Sequence, residues 1–235
     1  MGGENANAFR WQLVCNHELA RAIGEPGFPL AEFEMLQNWQ RDRLTHTYAD
    51  FLGHASDAPA CRFFLEELYG GMNFRERDQE VTRAEPLLSR MLSKRALHAL
   101  AEAFRLQAVS LEFDMEMAAL LLRRGVTALN TPVYADIYRQ CGRRPQREKQ
   151  ILLIRKLGHE LERLVKMPLL VQLLRALRGP ARAAGFGRLQ AFLENGLRSF
   201  RQLGEPGLFV ESIFEREWQA MNRLFSGHES PFISP

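Results

Sequence analysis

The sequence predicts an all-α protein, an irregular helical bundle of about eight or nine helices. Three observations lead there. Apolar residues recur at spacings of three and four, and strand-like alternation is nearly absent. Apolar types make up 46% and charged types 25% of 235 residues, an ordinary globular balance that excludes a disordered chain. The 17 Gly and 11 Pro gather in short clusters between the periodic stretches, which excludes a collagenous or low-complexity chain. With no fixed-period repeat and no long polar linker, the expectation is a single domain over 1–235, with a helix and loop at 1–27 and a frayed tail at 226–235.

The elements follow in order. Ala8 to Ile23 reads as one helix, broken by Gly24-Glu25-Pro26-Gly27. A long helix from Leu30 to Phe51 or Leu52 is expected to bury Leu30, Phe33, Leu36, Leu44, Tyr48 and Phe51. A loop from Gly53 to Pro59 leads into Ala60 to Tyr69, with Gly70-Gly71 as its stop. Phe74 to Ser93 is helical by composition but holds Pro86, which predicts a kink or restart. Ser93 is a natural cap for a helix to Arg124, with Leu97, Leu100, Phe104, Leu111 and Met115 inward and Gly125 closing it. Thr131-Pro132 reads as cap and first position for Val133 to Gln140. Gln146 to Lys166 carries Ile151, Ile154, Leu157, Leu161 and Leu164 on one stripe. Pro168 opens a helix ending near Arg178, before Gly179-Pro180. The last two run from Phe186 to Leu203 and from Leu208 to Phe225.

No run of about 18 apolar residues exists, so no membrane span is expected. Cys15, Cys61 and Cys141 fit no disulfide framework or metal motif, and Met1 to Asn7 has no basic-then-apolar leader pattern. Ala6 stands where a myristoylation signal wants Ser or Thr. A cytoplasmic location is the expectation.

The net charge of +3 hides an uneven distribution. Residues 1–120 hold 12 basic and 18 acidic side chains, residues 121–200 hold 16 and 5, and residues 201–235 hold 3 and 5. The plain reading is that acidic and basic parts pair across the fold. The sharper one is an anion-binding face built on Arg143, Arg144, Arg147 and Arg155, with Lys149, Lys156, Arg163 and Lys166 nearby. Few aromatics lie among these charges, so phosphate attraction is a better fit than base stacking, and nucleic acid is a weak candidate partner.

GxxxxGK[ST], GxGxxG and GxSxG are absent. His17-Glu18 and His159-Glu160 begin zinc-helix motifs, but Arg21 and Arg163 stand where the second His must be, and Arg has no lone pair to donate. Asp42, His46, Asp50 and His54 recur every four residues, a spacing open to a metal but expected on a solvated face. His98 with Glu102 is a shorter version. No metal site is assigned.

Residues 62–70 are different. Glu66 and Glu67 lie among Phe63, Phe64, Leu65, Leu68 and Tyr69, so at least one carboxylate is expected indoors, where it needs a donor or a cation. Arg75, Arg77 and Arg83 follow closely, alternating with Glu76, Asp78 and Glu80, and supply candidate cations. The cluster reads either as a structural network locking two helices or as a ligand pocket lined by Phe63, Glu66, Glu67, Tyr69, Arg77, Asp78 and Arg83.

The run from Phe63 to Tyr69 also resembles, letter for letter, the signature of the bacterial FFLEELY motif proteins. Arg77-Asp78, Arg83 with Pro86, Phe192 to Gly196 and Arg216-Glu217 look like that family's continuation. The resemblance implies a bacterial cytoplasmic protein and brings no catalytic residues. The leading expectation is a non-enzymatic protein that binds a small ligand or a protein partner, its cofactors unknown. The alternatives are a haem- or metal-dependent bundle enzyme using His98 or the ladder around His46, and anion binding by the basic segment 143–166.

Overall fold

In the computed structural model, residues 2–68 and 74–232 are described, with side chains described over 5–66 and 80–232. Among them stand eleven α-helices, one π turn and no strand: α1 (Gly2–Ile23), α2 (Leu30–Thr47), α3 (Ala49–Gly53), α4 (Ala58–Phe63), the π turn (Phe64–Leu68), α5 (Phe74–Met91), α6 (Lys94–Arg123), α7 (Thr131–Cys141), α8 (Arg144–Val165), α9 (Pro168–Ala183), α10 (Gly187–Gln202) and α11 (Pro206–Ser226). The fold is all-α, with more helices than the eight or nine expected.

One of the added helices has a local cause. The expected helix from Leu30 to Phe51 breaks at Tyr48, whose backbone leaves the helical region at φ −112° and ψ 24°. Thr45 and Thr47 donate their hydroxyls back to the carbonyls of Arg41 and Arg43, a pattern that bends helices. The Thr47 carbonyl released there accepts 2.7 Å from Arg216 Nη1 on α11. Elsewhere packing overrides propensity. α5 runs through Pro86 and α9 through Pro180, where the sequence predicted a kink and a stop. Val81, Ala84 and Leu88 hold α5 against a core shared with Phe9, Leu13, Phe104 and Leu189.

Caps set the ends where the sequence offers them. Ser93 Oγ accepts from the Ala96 amide at the start of α6. Asn130, not Thr131, caps α7, because its Oδ1 accepts 3.0 Å from the Val133 amide. Leu30 is exposed, though its stripe neighbours Phe33, Leu36 and Leu44 are buried. The expected stop at Gly70-Gly71 lies outside the described residues.

The 30-residue α6 is the axis of the molecule. α1, α2 and α8 pack along it, while α11 lies on α8 and α9 on α10. Two glycines permit close approaches. A Cβ at Gly158 would sit 2.7 Å from Val210, which is how α8 and α11 close together. A Cβ at Gly196 would meet the Phe63 ring at 2.7 Å.

Candidate functional site

The aromatic–carboxylate cluster read from the sequence is only partly within the described side chains. Glu66 is exposed, so the expectation that at least one of Glu66 and Glu67 lies indoors rests on Glu67. The side chains of Glu67, Tyr69, Arg77 and Asp78 lie outside those described. Phe63 packs on Phe192 with ring centroids 5.4 Å apart and lines an apolar cavity of about 110 Å³ with Leu92, Leu161, Leu193 and Gly196. The segments at Phe63 and at Phe192 to Gly196 therefore meet in space. Arg83 is exposed and lies over the Phe186 ring at 5.7 Å.

The basic segment spends much of its charge on the chain's own acids. Arg143 pairs with Glu116, and Arg144 with Glu148 and with Asn222 of α11. Arg155 pairs with Glu211, whose Oε1 also lies 2.6 Å from His159 Nε2. Arg147 is a correction to the expected surface face. It is buried, because it lies in phase with Ile151 and Ile154 on the inward side of α8.

The polar ladder does not gather. Asp42, His46 and His54 are exposed, while Asp50 is held by Arg216 Nη1 at 2.8 Å, which keeps its carboxyl below the usual range. His98 is 42% exposed and 3.8 Å from Glu102. Among the described residues no group of three metal-ligating side chains forms, and no helix is long and apolar enough to cross a membrane.

The site the structure builds lies instead between α2, α6, α7, α8 and α11. A cavity of about 80 Å³ opens there, room for a small molecule given that about 10–15 Å³ admits one water. Its walls combine Leu111, Ile151 and Ile154 with an unusual polar set: Gln37, Gln40, Arg43, Gln107, Ser110, Asp114, Tyr134, Tyr138, Arg147, Gln150 and Glu217.

Part of this set is paired within itself, although the Arg43 Nε is buried with no partner among the described residues. Arg43 Nη1 and Nη2 donate to Glu217 Oε1 and Oε2 at 2.6 and 3.1 Å, a two-point pair. The Tyr48 hydroxyl donates to the same Oε1 at 2.8 Å. Burial works against the Arg43 charge, but Glu217 beside it more than offsets this and raises its pKa. Gln150 Nε2 donates 2.8 Å to Ser110 Oγ, which donates to the Leu106 carbonyl.

The rest is not closed. Arg147 is only 5% exposed, its guanidinium 4.1 Å from the ring centres of both Phe113 and Tyr138. Its Nη2 reaches the Met117 sulfur at 3.3 Å, and its Nε is buried with no hydrogen-bond partner among the described residues. Asp114 accepts from two neutral amides, Gln40 Nε2 at 3.1 Å and Gln37 Nε2 at 3.4 Å. Burial pushes the Asp114 carboxyl up to about 6, against the lowering pull of Gln40, Gln37 and Arg147. Trp39 stacks on Tyr134 with centroids 4.2 Å apart, placing an indole behind the cavity wall.

Sequence reading passed over this site because it looked for motifs and for charge runs. The available signal was polar residues in phase with apolar stripes: Gln40 between Leu36 and Leu44, Gln107 between Phe104 and Leu111, and Arg147 before Ile151.

No curated protein and no solved structure matches the chain. One family model does match, over residues 27–231, which include every wall of the polar cavity. By that match the chain belongs to the family described as a domain of unknown function, DUF8198.

Proposed function

We propose that this is a binding protein for a small polar molecule, which it holds in the cavity between α2, α6, α7, α8 and α11. One observation carries the reading: Arg147 is a buried cation 4.1 Å from the ring centres of Phe113 and Tyr138, with a weak sulfur contact and an Nε that has no partner among the described residues. A buried charge left without a counter-charge costs several kcal/mol, of order 2–5. An apolar side chain would fill the space without that cost, so a retained arginine supports a ligand role. The resemblance to bacterial FFLEELY motif proteins and the scattered cysteines support a bacterial cytoplasmic setting for this role.

The test is thermal unfolding of the purified protein against a panel of small polar compounds, read in parallel by tryptophan fluorescence, to which Trp39 contributes with Trp11 and Trp218. A ligand at a hundred times its Kd should raise the Tm of a chain this size by ~5 °C or more. The Arg147→Met variant should fold, melt no lower than the parent, and lose that rise. If no compound gives a rise that depends on Arg147, the reading is wrong.

A further inference from the structure

The charges of the cavity, counted by partner, say more about what it takes. Arg43 and Glu217 cancel each other at two contact points. That leaves one cation, Arg147, and one carboxylate, Asp114. Among the described residues neither has a counter-charge within salt-bridge distance: Arg147 meets sulfur, and Asp114 meets two amides. They act on each other through space but share no hydrogen bond. Two opposite charges held apart on the walls of one small cavity are complementary to a molecule that carries both signs.

The arginine narrows the anionic half. Its Nε is buried with no hydrogen-bond partner among the described residues, and a guanidinium with a free N–H on its edge suits a planar carboxylate, which can accept two parallel hydrogen bonds. The carboxylate narrows the cationic half. Gln37 and Gln40 already give it neutral donors, and what it lacks is a positive charge. The volume of about 80 Å³ suits a molecule of roughly five to eight non-hydrogen atoms.

We infer that the cavity selects a small zwitterion, a molecule with one carboxylate for Arg147 and one protonated amine for Asp114, of the size of a short free amino acid. This rests on the binding role proposed above and names its ligand class. The remaining groups at the cavity that bear charge or titrate are Arg43 on α2, Tyr134 and Tyr138 on α7 and Glu217 on α11. Burial pushes both tyrosines above their usual range and the Asp114 carboxyl up to about 6, so Asp114 changes charge between pH 5 and 8.

The experiment is calorimetric titration at pH 7.5 with L-alanine and β-alanine, and with propionate and ethylamine, which each keep one of the two charges. The expected result is that one or both alanines bind at least tenfold tighter than either single-charge analogue. Asp114→Asn should bring the alanines down to the level of propionate. In the parent protein, which needs no variant, alanine binding should weaken as pH falls below about 6 while propionate binding does not. Propionate binding as tightly as the alanines, with dependence on Arg147, would overturn the zwitterion and leave the binding role standing. Failure of all four probes overturns the zwitterion too. Failure of the wider panel to show any Arg147-dependent ligand would overturn the binding role itself.

Discussion

The molecule has two kinds of interior. Between α4, α6, α8, α9 and α10 the walls are Leu92, Ala99, Leu157, Leu161, Leu170 and their neighbours, around a void of about 110 Å³. Charged groups near it stay at the surface, as in the Arg178–Glu194 pair on the outside of α9 and α10. Between α2, α6, α7, α8 and α11 a void of similar size is lined by arginines, carboxylates, glutamines and tyrosines. Hydrophobic burial explains the first interior completely. It does not explain the second, where leucines at the same positions would fold at least as well. The difference separates what the chain does for stability from what it does for a ligand.

The sharpest way to break the comparison is to open the closed pair. Among the described residues, Arg43→Met leaves Glu217 with only the Tyr48 hydroxyl, at a site where both partners' side chains are under 15% exposed. A loss of about 3–5 kcal/mol is expected in urea unfolding, since a buried charge without its partner is costly. A loss below 1 kcal/mol would mean that water reaches Glu217 freely and that the polar interior is an ordinary surface cleft.

The apolar interior answers to packing instead. Gly158→Ala places a methyl 2.7 Å and 2.8 Å from the two Val210 methyl groups, and a β-branched side chain has few rotamers to escape into. Overpacking of this kind costs about 1–3 kcal/mol, and a Gly158→Ala, Val210→Ala double variant should recover part of it. Full independence of the two changes would show that α8 and α11 are not in tight contact there.

The sequence predicted the apolar interior well and the polar one hardly at all. The stripes through Leu97, Leu100, Phe104 and Leu111, and through Ile151, Ile154 and Leu157, are buried as their spacing implies. Period is a local property, and each helix states its own. Stops were harder: Pro86 and Pro180 lie inside helices because neighbouring elements hold the chain through a lost hydrogen bond. The polar cavity was illegible for a different reason. It draws two or three residues from each of several helices, and only tertiary packing says that Asp114, Gln40 and Arg147 share a wall. Arg147 also sits in a run of basic residues, and a charge run reads as solvated surface. The one clue within reach was its phase with Ile151, which a count of charges cannot see.

Asp114→Asn gives the smallest effect and the most direct reading of the polar interior. The folded protein holds this carboxyl at about 6, above its ordinary value of 3.8. Because the folded state binds the proton more tightly, the stability tied to that proton is fully present below pH 4. It is lost as pH rises through 6. At pH 7.5 the parent therefore carries an ionised group that opposes folding, and the ligand-free Asn variant should be more stable by about 1–2 kcal/mol. Near pH 4 the advantage should vanish, because the parent is then neutral at this position too. Urea unfolding of both proteins at the two pH values measures the difference of differences, which cancels every other titrating group. An advantage equal at both pH values would assign the gain to altered packing of Gln37 and Gln40. A variant less stable at pH 7.5 would show that Asp114 already has a counter-charge inside the folded chain, and the two interiors would then differ in composition but not in purpose.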